Sequence, residues 1–313
     1  MKRFISKNVL IILMGAICIG LAVYFPDFTT PGNLKNLARR ISPTVVMSVG
    51  QVLVILTAGI DLSVGSVAAL AQMITGKAIK DFGCPVPVGY TFGIFTGFLC
   101  GAVNGILITK GRIPPFIVTL GMMLAARGAA LGLSKGSRIS GLSDSFKWIG
   151  GGTNWAVPFL VAISLVGIFA IMLSYSRFGR QLYATGGNLG GARLSGINVD
   201  RVRLGAYALC GALAGMGGII IASRSGVCDP TAAEGAELDA IAACVVGGAS
   251  LMGGEGGAIG ALLGALIIGV LVNVCQLQGV PNELQRIIIG VLIVALVFTD
   301  NWRKRRAGKL KEF

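Results

Sequence analysis

The chain has 313 residues, 54% of them hydrophobic and 13% charged, with a mean hydropathy of +0.80. That balance excludes a water-soluble globular domain and fits a chain dissolved in lipid. The formal net charge of +14 would suit a nucleic-acid binder if the basic residues were spread over a soluble surface, but they are confined to short flanks of apolar runs.

In chain order, apolar runs occupy residues 8–25, 44–59, 62–75, 88–109, 114–133, 156–174, 204–223, 238–251, 256–275 and 284–299. Five of them (8–25, 88–109, 156–174, 204–223 and 256–275) approach the roughly 20 residues with which a helix crosses about 30 Å of hydrocarbon, and the shorter ones bring the expected total to about ten spans. Lipid offers exposed backbone groups no water and no alternating strand pattern is present, so the expected fold is all-α. Residues 1–313 read as one transmembrane domain, with 175–203 as a loop within it. The run at 8–25 is long for a signal peptide and lacks a small-residue cleavage site, so it reads as the first span. Small-residue spacing at Gly97, Gly101 and Gly105, and at Gly260, Gly264 and Gly269, points to close helix packing ahead of a direct pore role.

Residues 1–8 carry +3, residues 175–203 carry five arginines against Asp200, and residues 301–313 carry six basic residues against Glu312. The positive-inside rule puts such flanks on the cytoplasmic side. An even number of spans places both termini there, and six spans before residue 175 place the 175–203 loop there too. Lys35, Arg39 and Arg40 fall on the other side of the first span and disagree with this count.

The seven cysteines form no C-x-x-C pair and read as small packing residues. There is no histidine, which removes histidine-based acid–base catalysis and most zinc sites. The phosphate-binding loop G-x-x-x-x-G-K-[ST] and the nucleophile motif G-x-S-x-G are also missing. We therefore expect no catalytic residue, no metal and no cofactor on this chain, with any energy for pumping supplied by a partner.

Two features recur along the chain. GIDLSVGS (59–66) and GAELDAIAACVVGG (235–248) each place acidic residues at the start of an apolar helix, which pairs Asp61 with Asp239. GAVNGILITKGRIPP (101–115) and GVLVNVCQLQGVPNE (269–283) pair Asn104 with Asn273 and Pro114 with Pro281. A displacement of five spans reverses orientation, so the pattern predicts two inverted five-helix halves, with chance similarity among glycine-rich helices as the alternative.

The 175–203 loop exceeds the usual connection of roughly 4 to 6 residues, a sign of function or disorder. In YATGGNLGGARLSGINVDRVR (183–203), Ala192, Leu194 and Ile197 offer an apolar face on a short helix between glycines that permit sharp turns. Such a helix docks in a partner's groove, with arginines at the rim, or it rests on the lipid surface; composition leaves both open.

Four blocks, VILTAGIDLSVGS, NGILITKGRIPPFIVTLGMMLAARG, YATGGNLGGARLSGINVDRVR and GAELDAIAACVVGGASLMGGEGG, resemble in order the signature blocks of permease subunits of ribose, xylose, arabinose and galactoside type ABC importers. The resemblance implies a multi-pass dimer, with itself or a homologue, in the bacterial cytoplasmic (inner) membrane. It also implies an external sugar-binding protein and a cytoplasmic ABC ATPase, commonly with two fused nucleotide-binding halves, which holds the ATP and Mg. By the same resemblance Gly186, Gly187, Asn188, Ala192, Leu194, Ser195, Gly196 and Ile197 belong to the segment that docks on the ATPase. Arg193, included with them, and Gly191 depart from the family block.

For the translocation pathway of a polyhydroxylated solute we nominate Asp61, Ser63, Asn104, Thr119, Arg127 and Asn273, because buried polar groups in lipid are costly unless they serve a role. Glu237 and Asp239 read as helix caps or gate residues. Asp61 also fits a plain helix cap, and Arg127 fits a bond to backbone carbonyls. The rival cargoes are nucleosides and branched-chain amino acids. The rival class is a channel or scaffold that needs no ATPase.

Overall fold

A computed structural model describes residues 23–281 apart from 153, with scattered positions between 15 and 21 and between 283 and 298. Among them the chain is helical and carries no strand. The helices are α1 Pro31–Leu56, α2 Val64–Lys80, α3 Val86–Thr109, α4 Pro115–Ser134, α5 Asp144–Lys147, α6 Ala156–Tyr175, α7 Arg177–Gly187, α8 Leu189–Leu194, α9 Val199–Ser225, α10 Ala236–Val246 and α11 Ala258–Leu277. Proline occupies one of the first two positions of α1, α3 and α4, where its missing N–H would have no helical partner anyway. Thr30 caps α1 by accepting from the Asn33 N–H at 3.4 Å.

Among the described residues six helices, α1, α3, α4, α6, α9 and α11, are long and apolar enough to cross a membrane. The expected short spans at 62–75 and 238–251 correspond to α2, with 17 residues, and α10, with 11; α10 stops at Gly247, and the following Gly248 has φ 87°. The expected span at 44–59 starts earlier, at Pro31, because its polar first turns find partners. The Lys35 ammonium lies 5.9 Å from the Trp155 ring centre, and Arg40 donates to the Gln276 side-chain oxygen. The runs at 8–25 and 284–299 lie largely outside the described residues, as do the basic residues of both termini.

The arrangement has an internal order that chain spacing makes plain. α1 begins at 31 and α9 at 199, 168 positions later; α3 ends at 109 and α11 at 277, again 168 positions later. Direction reverses between the members of each pair. α1 ends beside α7, with Leu56 against Gly186, whereas α9 begins just after α8. α3 ends beside α8, where Thr109 and Arg193 line one cavity, whereas α11 begins beside α7, with the Tyr183 hydroxyl bonded to Gly256. The chain therefore contains two inverted halves. They are interlocked: α1 packs against α6, α10 and α11 of the other half, α9 packs against α2 and α3, and α1 and α9 pack against each other.

Glycines make these contacts close. A methyl at Gly97 would meet the Gly211 carbonyl, one at Gly101 the Tyr207 carbonyl, and one at Gly264 the Ala243 carbonyl. Both glycine series read from the sequence thus serve helix packing. The six described cysteines are free, and Cys210, Cys228 and Cys244 are wholly buried, as packing residues are.

Gly101→Ala should push α3 off α9 and cost about 1–3 kcal/mol, read as a lower Tm in detergent. Gly121→Ala, at a position with open space around it, should leave Tm unchanged or raise it. Equal Tm values for the two variants would contradict this packing.

Candidate functional site

The break between α1 and α2 is built from polar groups that satisfy one another. The Asp61 carboxylate accepts from the Ser63 N–H at 2.8 Å and the Ser63 hydroxyl at 2.6 Å. The Asn104 amide of α3 donates to the same hydroxyl at 3.0 Å. The Thr119 hydroxyl of α4 donates to the Ile60 carbonyl at 3.4 Å, and the Gln51 amide of α1 brackets the Asp61 backbone, 3.2 Å from both its N and its O. Four of the nominated residues therefore meet in one cluster. All four are at most 1% exposed, so none presents a surface to a solute in this conformation. Asn104 Oδ1 and the Tyr207 hydroxyl are buried without partners, and the latter lies beside Gly59.

Arg127 and Asn273 stand elsewhere. Arg127 donates from α4 to the Pro230 and Ala232 carbonyls at 2.8 and 2.9 Å, which fixes the segment between α9 and α10. Asn273 exchanges amide hydrogen bonds with Asn33 at 2.9 and 2.8 Å, which ties α11 to the start of α1, at the opposite end from α7 and α8. Glu237 and Asp239 sit in the first turn of α10, whose cap position is Gly235, so they meet the helix dipole without occupying the cap. Glu237 Oε2 is buried without a partner and lies against Gly65. The N-termini of α2 and α10 thus face each other inside the bundle.

The second break repeats the first at a residue the sequence reading did not choose. The Asp229 carboxylate accepts from the Thr231 N–H at 2.9 Å and the Thr231 hydroxyl at 2.7 Å, the same motif as Asp61 and Ser63. Asp229 follows Asp61 by 168 positions, as α9 follows α1, so Asp229 and not Asp239 is its counterpart. The signal was legible as D-x-[S/T] within one position of the 169-residue interval between Asn104 and Asn273. Two further bonds hold this break: Gln72 donates to the Asp229 carbonyl at 3.1 Å, and Arg138 pairs with its carboxylate at 2.7 Å. Burial pushes the Asp229 carboxyl up, but the Thr231 hydrogen bonds and the Arg138 guanidinium outweigh it and hold the group below the usual carboxylate range.

The 175–203 loop is ordered by two side-chain caps. Ser176 accepts from the Gly179 N–H at 2.9 Å to start α7, and Asn188 accepts from the Gly191 N–H at 2.8 Å to start α8. The single apolar face expected of Ala192, Leu194 and Ile197 does not form. Ala192 is buried, Ile197 packs against the core, and Leu194 alone points outward, 92% exposed. The turn at Gly196 (φ 78°), with Ser195 exposed beside it, folds Ile197 back so that its N–H reaches the Ala192 carbonyl at 3.0 Å.

Gly186 and Gly187 carry the contact that sequence reasoning missed. A methyl at Gly186 would collide with the Leu56 carbonyl at the end of α1 and lie 2.6 Å from the Gly254 nitrogen. The Gly254 N–H donates to that same carbonyl at 3.1 Å. A methyl at Gly254 would come within 2.8 Å of Gly187 Cα, and one at Gly253 within 2.8 Å of the Ala58 nitrogen. The Tyr183 hydroxyl adds a 2.8 Å bond to the Gly256 carbonyl. Three separate stretches of chain thus touch backbone to backbone. One leads from Leu56 to Asp61, and another joins α10 to α11.

This combination of inverted helical halves, two internal breaks and an ordered loop bound to both halves defines a polytopic membrane permease. The family model described as "Branched-chain amino acid transport system / permease component" matches residues 33–297, and the chain belongs to that family. It is 43% identical to the ribose import permease protein RbsC of Escherichia coli, over 88% of each chain. It is 41% identical to the ribose import permease protein of Bacillus subtilis, over 90% of this chain and 88% of that one. Against the xylose transport system permease protein XylH of Escherichia coli the identity is 33%, over 96% and 94% of the two chains. No solved structure matches the chain.

Because the Asp229 carboxyl is depressed, its stabilising contribution is complete above the ordinary aspartate value of about 3.9 and is lost as pH falls through the lower folded value. The Tm difference between the natural chain and Asp229→Asn should be constant above about pH 5 and shrink below it. A difference independent of pH would remove the carboxylate's charge from this account.

Proposed function

We propose that the chain is the membrane-spanning, non-catalytic subunit of an ATP-driven importer and forms the route for a monosaccharide, a pentose or hexose. The observation that carries this reading is the backbone junction at Gly186 and Gly187, which joins an exposed loop to a segment beside each broken helix. In this reading α8 and Leu194 dock on a cytoplasmic ABC ATPase, with tandem nucleotide-binding halves, which holds ATP and Mg. The sugar arrives from an external binding protein, and a second permease copy or a homologue completes the pathway. Closure of the ATPase halves draws two docking loops together. The junction transmits that movement to the Asp61 cluster and to α10 and α11, and the interlocked halves rock to alternate access. The similarity to ribose and xylose permeases supports sugar as the cargo.

The α7–α8 end is then cytoplasmic, in a bacterial inner membrane, with both basic termini on the same side. Asp61, Ser63, Asn104 and Thr119 act as the closed gate of one half, and Glu237 faces them from the other. Arg127 and Asn273 position the second break and the outer end. The matching family description names branched-chain amino acids, and uptake measured over a panel of sugars, nucleosides and amino acids separates that cargo from the proposed one.

Two variants test docking and transmission separately in the complex reconstituted with the ATPase and loaded binding protein. Leu194→Asp should weaken ATPase binding at least tenfold and abolish sugar-stimulated hydrolysis while the permease still inserts. Gly186→Ala should leave the ATPase bound but reduce uptake per ATP hydrolysed by tenfold or more. Uptake and hydrolysis unchanged by Leu194→Asp would overturn the docking role. Coupled transport unchanged in Gly186→Ala would overturn the junction.

A further inference from the structure

Beside the docking loop lies a cavity of about 420 Å³ formed by the α3–α4 turn, α8 and the start of α9. Arg112, Arg193 and Arg203 line it together with a single carboxylate, Asp200, and with Thr109 and Pro114. No ion pair among the described residues involves any of the four charged groups. The cavity therefore holds an excess of positive charge with no ion-pair partner among the described residues. Guanidinium groups present paired N–H donors that match the oxygens of a phosphate. Arg193, one of the two positions at which the loop departs from the family block, lines this cavity and does not extend the apolar contact made by Leu194.

The flank of the cavity identifies the bearer of the phosphate. On the α4 side it continues into Ile113, 36% exposed, and then Phe116 and Ile117, 57% and 59% exposed. These residues open onto α4, a helix suited to span the membrane with little of its surface covered by the protein. A phosphate seated among the arginines would have a bare apolar strip directly alongside it. A diacyl lipid needs that pairing, and a soluble anion does not.

We propose that this cavity is a binding site for the headgroup of an anionic glycerophospholipid, whose acyl chains lie along the Ile113–Ile117 flank. The proposal rests on the reading of this end as cytoplasmic, where anionic headgroups and basic protein flanks meet. Its chemistry places a lipid against the docking loop through Arg193, so lipid occupancy would bear on the orientation of α8.

The test uses the full-length permease purified into nanodiscs of phosphatidylcholine with increasing phosphatidylglycerol, and native mass spectrometry of the lipids it retains. The natural chain should retain phosphatidylglycerol with at least tenfold preference over phosphatidylcholine. Arg112→Gln with Arg203→Gln should abolish the preference, Asp200→Asn should increase it, and Lys77→Gln, at a separate surface, should leave it unaltered. The Asp200→Asn arm keeps the proposal open to refutation if the double variant does not fold. A preference that survives the double variant and ignores Asp200→Asn overturns the site. Thermal protection by inorganic phosphate equal to that by phosphatidylglycerol overturns the lipid in favour of a soluble anion. Loss of ATPase binding by the double variant in lipid-free detergent, with lipid preference retained, overturns it in favour of protein docking. None of these outcomes depends on sugar transport, so failure of the lipid site and failure of the importer reading are distinguishable.

Discussion

Inside a membrane, a helix that stops short exposes backbone groups to a solvent that cannot hydrate them, and every such stop must be satisfied by the protein itself. Two helices of this chain, α2 and α10, begin within the bundle, and the arrangement around them follows from that constraint. Each break is closed by an aspartate that accepts from the backbone and hydroxyl of the second residue on, Asp61 to Ser63 and Asp229 to Thr231. Each is then braced by an amide or guanidinium from a neighbouring helix: Asn104 and Gln51 at the first, Gln72 and Arg127 at the second. The polar residues that look expensive in the sequence are in large part the hydrogen-bond partners of interrupted backbone.

This solution also gives the molecule a way to move. A continuous helix transmits force along its axis, whereas a broken one offers a joint, and here both joints sit between interlocked halves. Because α1 packs into the second half and α9 into the first, a shift of either half must displace both. The Gly186–Leu56–Gly254 junction contacts this system at one end. Its contacts run from backbone to backbone with no side chain between them, so a displacement of the loop would pass directly into the backbone. An importer of the proposed kind, driven from outside the membrane, would need such a stiff connection between its proposed docking surface and gate.

The sequence made much of this legible, and the misses have physical causes. The helical class followed from hydropathy, and the inverted repeat from a few matched residues, because the intervals of 169 positions from Asn104 to Asn273 and 167 from Pro114 to Pro281 bracket the 168 that separates the paired helices. The pairing of Asp61 with Asp239 misled because both precede an apolar stretch. Hydropathy marks where a helix becomes apolar, not where its backbone is interrupted, and only the hydrogen bonds single out Asp229. Asn273 was grouped with Asn104 by its repeat position, yet the inversion that relates the halves sends the two residues to opposite ends.

What the sequence determined alone was the medium, the secondary structure and the family: apolar run lengths, basic flanks, absent catalytic motifs and four ordered blocks are local properties of the chain. What tertiary structure decided was which glycines touch, which carboxylate closes which break, and which way Ala192, Leu194 and Ile197 of the 175–203 loop point. Ala192, Leu194 and Ile197 were one face on paper and became one exposed residue and two inward ones, because the turn at Gly196 reverses the chain between them. Arg112, Arg193 and Arg203 share a cavity although 91 positions separate the first from the last. Contacts of that kind arise from the packing of whole helices, which local sequence does not encode.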